Sequence, residues 1–293
     1  ENKDLDFSTS IEGGHRFRVN AHLQRESIAI SFRVIASYVP GLEDLHLPNI
    51  VHELTDLPRG LVLVTGHTGS GKSTTLASMI SMINRKQRKR IITIEDPIEY
   101  LLFNDQCMIE QREIGPDCPN FASGLRHALR QDPDIIMVGE MRDLETTSAT
   151  ITAAETGHLV FSTLHTINAY QTIERAVDIY AAAQQNQIRA MLANTLQAVI
   201  SQTLFRRKDG EGMIPCAEVL LCTSAVRNCI RENRIYEIPN IIETSRRVGM
   251  QSMDSSICEM FFEGYLERDE AVMRSANPAK MDKMLIEKRT APR

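Results

Sequence analysis

At 293 residues the chain is long enough for one large domain or two modest ones, and its 42% apolar and 24% charged residues are the balance of an ordinary globular protein. Lys and Arg total 33 against 38 Asp and Glu, a formal net charge of −5, which argues against a protein whose main task is to coat nucleic acid. No apolar run reaches the roughly 18 residues of a spanning helix, and Glu1-Asn2-Lys3-Asp4 does not open a signal peptide. A cytosolic protein is expected, with no direct membrane insertion. Six cysteines, at 107, 118, 216, 222, 229 and 258, contain no Cys-x-x-Cys pair, so buried free thiols are expected in place of a zinc or dithiol site.

In chain order, Arg16-Phe17-Arg18-Val19-Asn20 and Ser27-Ile28-Ala29-Ile30-Ser31-Phe32-Arg33 alternate as strands do. Pro40-Gly41 then breaks the chain, and Leu42 to Leu57 reads as a short helical approach. Leu61-Val62-Leu63-Val64-Thr65 is an unbroken apolar run, the pattern of a strand buried on both faces of a parallel sheet. A helix over about 72–84, a strand at 91–94, a helix over 121–130 capped by Asn120 and a strand at 135–138 follow. Asp143 caps a further helix to about 156, and a strand occupies 159–163. Strand and helix in alternation predict an α/β fold with a parallel sheet and right-handed crossovers. Helices are expected around 171–178 and 184–199, then a hairpin of Thr203–Arg207 with Met213–Leu221 about Asp209-Gly210-Glu211-Gly212, and short helices to the end.

Gly66-His67-Thr68-Gly69-Ser70-Gly71-Lys72-Ser73 is a complete phosphate-binding loop between a predicted strand and a predicted helix. Glycines let the backbone curl so that its N–H groups face phosphate oxygens, and the helix N-terminus favours anions. Gly66, Thr68, Gly69, Ser70, Gly71, Lys72, Ser73 and Thr74 are therefore the candidate ATP-binding residues. Lys72 can reach the β- and γ-phosphates, and the Ser73 hydroxyl can meet Mg²⁺.

Hydrolysis needs carboxylates beside that loop. Glu140 follows the strand Ile135-Ile136-Met137-Val138 and Gly139, and is the candidate to hold Mg²⁺ together with Ser73. Glu95, Asp96 and Glu99 follow another strand, where a carboxylate can orient and deprotonate water. His165 stands at the carboxyl end of a strand and His158 at the amino end. Ligands bind outside the carboxyl ends of such sheets, so His165 is ranked as the γ-phosphate sensor and His158 as structural.

Three segments together resemble the Asp, Walker B and His boxes of the type II/type IV secretion ATPase superfamily: Thr93 to Glu99, Asp132 to Asp143, and Thr156 to Thr166. The resemblance runs from near residue 1 to about 265. It implies a RecA-like P-loop ATPase domain at 42–293, a linker at 39–41, and, at 1–38, the C-terminal part of an N-terminal PAS-like α+β domain whose front portion is absent. It further implies a homo-hexamer, with Glu99 as general base, Glu140 as the Walker B acid and His165 as the His-box residue. Arginines of the N-terminal domain complete the site in this family; Arg16, Arg18, Arg25 and Arg33 are the candidates, and Arg18 and Arg33 are carried forward as catalytic. Arg175 matches an interface arginine.

Two features point to the pilus-retraction branch of that superfamily. The four-cysteine zinc module usual in its extension and type II secretion members has no counterpart, and Ala225-Val226-Arg227-Asn228-Cys229-Ile230-Arg231-Glu232 resembles an element of the retraction ATPases, with Val226 and Cys229 as apolar departures. Tyr180-Ala181-Ala182-Ala183 departs from the family pattern more widely. The resemblance implies an inner-membrane pilus platform protein as partner and a place peripheral to that membrane. Three rivals are a conjugation or effector-secretion ATPase, a nucleotide-gated scaffold that barely turns over, and a RecA-like DNA translocase, which the acidic charge disfavours.

Overall fold

The structure, a computed structural model, describes residues 4–11, 16–35 and 38–290. Three strands open the chain: β1 (Asp4–Ser10), β2 (Arg16–Gln24) and β3 (Ser27–Ile35), paired antiparallel in the order β1-β2-β3. Their alternation sorts the two faces. Leu5, Phe7, Leu23, Ile28, Ile30, Phe32 and Val34 share one face and are all exposed. Arg18 and Arg33 share the other, directly opposite one another in the register.

A 3₁₀ turn (Leu42–Leu45), the short α1 (Ile50–Glu53) and a second 3₁₀ turn (Leu54–Asp56) make the helical approach that the sequence predicted. Five strands then alternate with helices: β4 (Gly60–Thr65), α2 (Lys72–Lys86), β5 (Arg90–Glu95), β6 (Met108–Glu113), α3 (Phe121–Ala128), β7 (Ile135–Val138), α4 (Leu144–Glu155) and β8 (Leu159–Leu164). After α5 (Ala169–Asp178) and α6 (Ala182–Thr195), β9 (Leu196–Arg206) and β10 (Met213–Leu221) complete a seven-stranded sheet of order β10-β9-β4-β8-β7-β5-β6. Every pair in it is parallel except β9 with β10. The chain ends in α7 (Ser224–Arg231), α8 (Ile238–Thr244), α9 (Met253–Phe262), α10 (Arg268–Met273) and α11 (Pro278–Thr290).

Period-two alternation divides the core. Leu61, Leu63, Ile92, Ile94, Ile136 and Val138 bury against α3 to α8, whereas Val62, Val64, Ile91, Ile135 and Phe161 bury against α2 and the segment from Leu42 to Leu54. Helices thus cover both faces, which is why these strands read as unbroken apolar runs. A separate cluster of Phe205, Ile214, Cys216, Ile257, Met281 and Leu285 ties the β9–β10 hairpin to the last three helices. All six cysteines are free and buried, and Val226 and Cys229, the departures on α7, both face inward.

Two expectations are corrected. The helix predicted over 184–199 stops at Thr195, and Leu196 to Val199 already belong to β9, where they pair with β4. The hairpin therefore begins seven residues before the expected Thr203, as the span Leu196–Arg206 shows. Strand β6 had no signal in the sequence, because Met108-Ile109-Glu110-Gln111-Arg112-Glu113 lies at the sheet edge and needs no continuous apolar run.

Candidate active site

The site lies at the carboxyl ends of β4, β5, β7 and β8, in a cavity of about 670 Å³. Central strands of this sheet leave their next loops on one edge, so residues far apart in sequence meet there. The phosphate loop follows β4. Gly66 has φ +142° and Gly71 φ +89°, backbone that side chains rarely adopt. A Cβ at Gly66 would stand 2.3 Å from the Gln202 carbonyl oxygen, so this turn closes only without one.

Lys72 is 9% exposed, and its Nζ donates to the carbonyls of Gly66 at 2.8 Å and His67 at 3.0 Å. Burial pulls its pKa below the usual lysine value. The ammonium is thus poised over the loop, where a phosphate oxygen can take the place of those carbonyls. Thr68, Gly69, Gly71, Lys72, Ser73 and Thr74 line the cavity. Ser70 is buried behind the loop at 1% exposure, and Gly66 serves as its hinge; neither lines the cavity wall.

Glu140 comes from the turn after β7 and His165 from the turn after β8. His165 Nε2 lies 3.1 Å from Glu140 Oε2. A carboxylate only accepts, so Nε2 carries the proton. Burial and then the charges of Lys72 and Arg142 hold the His165 pKa below its ordinary value, which favours a neutral ring donating this hydrogen bond to the carboxylate. Arg142, two residues beyond Glu140, forms an ion pair with it. His158, by contrast, sits at the far end of β8 with Nδ1 3.0 Å from the Ala153 carbonyl, outside the cavity wall.

The turn after β5 contributes Glu95, Asp96 and Glu99 to the wall. Their environments differ. Glu95 is buried and accepts from Thr93 Oγ1 at 2.6 Å and Gln111 Nε2 at 3.0 Å, whereas Glu99 is exposed to the cavity. Burial pushes the Glu95 carboxyl above the usual carboxylate value, and the hydrogen bonds from Thr93, Gln111 and the Glu99 backbone N–H offset only part of that. Tyr100 ties this turn to the phosphate loop, its Oη 2.8 Å from Thr74 Oγ1.

Arg18 and Arg33, from the three-stranded sheet, also line the cavity. Arg25 stands in the β2–β3 turn and Arg175 on α5, and neither reaches the wall; the side chain of Arg16 lies outside the described residues. Sequence reasoning missed three participants. Arg142 and Tyr100 were within reach of it, being two residues and one residue from Glu140 and Glu99. Gln202 had no local signal, since it is 132 residues from the Ser70 it touches.

For Mg²⁺, no group of three or more His, Cys, Asp or Glu residues could hold a metal among the described residues. The two donors expected from the sequence, the Ser73 hydroxyl and the Glu140 carboxylate, both line the wall. This oxygen-only pair suits a hard ion that takes most of its ligands from phosphate and water.

Comparisons with known proteins give the family. Residues 41–274 match the family model described as "Type II/IV secretion system protein". The "Twitching motility protein" of Neisseria gonorrhoeae is 47% identical over 281 residues, 96% of this chain and 75% of that protein. The "Type IV pilus retractation ATPase PilT" of Pseudomonas aeruginosa is 46% identical over 275 residues, 94% of this chain and 80% of that protein. Among solved structures, that of the "Pilus Retraction Motor PilT and Bound ADP" superposes with a TM-score of 0.90 at 44% identity, covering 96% of this chain and 80% of that one. By family match, sequence identity and fold, this chain belongs to the family of type II/IV secretion system proteins.

Proposed function

We propose that the chain is an ATP-hydrolysing motor subunit that powers retraction of a type IV pilus. One observation carries the reading. In a member of this family, the phosphate loop, two strand-end carboxylates and two arginines from a separate sheet line a single cavity. The likeness to proteins named for pilus retraction, across 94% to 96% of the chain, selects the machine.

ATP sits with its phosphates on the loop, Lys72 reaching the γ-phosphate as it leaves the carbonyls of Gly66 and His67. Ser73 and Glu140 would hold Mg²⁺, which supplies charge neutralisation on the phosphates. Glu99 takes a proton from water as the oxygen attacks the γ-phosphorus in line. The bond to the β–γ bridging oxygen breaks, and ADP and phosphate result. Lys72, Arg18 and Arg33 offset the charge that develops on the equatorial oxygens. His165, neutral and donating to Glu140, holds that carboxylate in place and senses the γ-phosphate.

The three strands β1 to β3 belong to a PAS-like domain, residues 39–41 are a linker, and the elements from residue 42 onward make the RecA-like ATPase domain. The subunit works as a homo-hexamer in the cytoplasm, against a platform protein of the inner membrane. Among the described residues, no helix is long and apolar enough to cross a membrane.

Mg²⁺-dependent ATP turnover, with particle mass recorded in the same buffer, tests the reading. Glu99→Gln is expected to keep nucleotide binding and lose about 10²-fold or more in turnover, whereas Lys72→Ala loses binding as well. A ring-forming wild-type chain that binds ATP without hydrolysing it would overturn the motor in favour of a nucleotide-gated scaffold.

A further inference from the structure

Strand β9 runs beside β4 in parallel, and their pairing ends at Thr65 with Ser201. There β4 turns into the phosphate loop while β9 continues. The next residue on β9, Gln202, still pairs with Ala217 of β10 but has no strand on its β4 side, and there it faces the back of the loop. It is 1% exposed. Its Nε2 donates to the Ser70 carbonyl at 2.7 Å, and its Oε1 accepts from Thr75 Oγ1 on α2 at 2.9 Å. The amide orientation is set by chemistry: the Ser70 carbonyl can only accept, so a flipped amide would set two oxygens against each other.

We propose that Gln202 is a positioning residue for phosphate binding, its side-chain amide fixing the Ser70–Gly71 peptide so that the Gly71 N–H faces the nucleotide. The physical basis is peptide planarity. In a trans peptide the carbonyl and the next N–H point to opposite sides. Anchoring the Ser70 oxygen on β9 turns the Gly71 N–H away from β9, toward the cavity that Gly69, Gly71 and Lys72 line. The second arm of the same amide holds the first turn of α2 through Thr75, so loop and helix N-terminus are set against one strand.

Packing supports the same role. A Cβ at Gly71 would stand 2.9 Å from Gln202 Nε2, and one at Gly66 would stand 2.3 Å from the Gln202 carbonyl oxygen. Two glycines of the loop are thus shaped against this one residue. The buried hydroxyls of Thr65 and Ser201, 2.8 Å apart, hold the strands in register just before it. A glutamine serving only to fill this space would need no donor aimed at a loop carbonyl.

The inference rests on the nucleotide reading of the same site, and the test separates the two. ADP affinity is measured between pH 6 and pH 9 for the wild-type chain, Gln202→Met and Gln202→Glu, with melting of each nucleotide-free form. Met keeps the length and removes the donor without adding charge. Its dissociation constant for ADP is expected to exceed that of wild type at least about tenfold at every pH. Glu can donate to Ser70 only while protonated, and burial raises its pKa. Its dissociation constant, relative to wild type, is therefore expected to climb with pH.

Gln202→Leu replaces the Met variant if that chain does not fold. A neutral variant that binds ADP within about twofold of wild type overturns the inference, whatever the Glu profile. So does a Glu profile parallel to that of wild type. A wild-type chain that fails to bind ADP would instead overturn the proposed function.

Discussion

Glu95 and Glu99 are four positions apart on one turn, yet they meet opposite surroundings. Glu99 faces the cavity, free to meet water, while Glu95 is 7% exposed and supports the turn from beneath. The raised pKa of Glu95 has a consequence for stability. The folded chain holds its proton at pH values where the unfolded chain, with the ordinary carboxylate value of 4.5, has released it. More protons are bound folded than unfolded in that window, so the contribution of Glu95 is fully present below pH 4.5 and is lost as pH rises through the folded-state pKa. Glu95→Gln removes the titration. Wild-type stability relative to this variant is expected to decline with rising pH, as read by denaturant melts from pH 4.5 upward. Parallel curves for the two chains would contradict it.

At the scale of elements, the helices that follow the site are started by side-chain caps. Asn120 accepts from the Ser123 N–H at the head of α3, Asp143 from the Thr146 N–H at the head of α4, and Asn168 from the Gln171 N–H at the head of α5. Asp143 also accepts from the Thr146 hydroxyl at 2.9 Å, and its charge suits the positive end of the helix. It closes the turn that carries Glu140 and Arg142. Asp143→Ala is expected to lower stability by about 1 kcal/mol in urea unfolding. A shift within a few tenths would mean that packing alone holds this helix start. The same scale shows where pattern reading failed. Leu196-Gln197-Ala198-Val199 continues a helix as readily as it starts a strand, and the open side of β4 decides for strand.

For the whole molecule, the central relation is that of the small sheet to the nucleotide cavity. Arg18 and Arg33 stand directly opposite each other on β2 and β3, an arrangement that like charges disfavour. Both also line the cavity that the phosphate loop lines. A pair held at some expense in stability, beside a lysine, is a ready site for the charge of a triphosphate. Arg18→Ala and Arg33→Ala, made singly, are each expected to lower ATP turnover by at least about tenfold. Neither should lower the melting temperature of the nucleotide-free chain, because each relieves the repulsion. Variants that lose stability with unchanged turnover would remove both arginines from the site. The opposite face of this sheet, with Ile28, Phe32 and Val34 each more than 60% exposed, carries no such function in the mechanism.

The phosphate loop, the buried parallel strands and the acidic turn after β5 were legible in the sequence because each depends on neighbours in the chain. Glycine spacing, apolar continuity and a carboxylate at a strand end are local facts. The helix caps at Asn120 and Asp143 were legible for the same reason. The edge strand β6 and the start of β9 were decided elsewhere. Strand order, register and the direction of a face are set by which elements bury against one another, and that is a property of the assembled chain. Gln202 belongs with these. Its chemistry arises only where β4 turns away and β9 continues, a junction that no stretch of sequence contains.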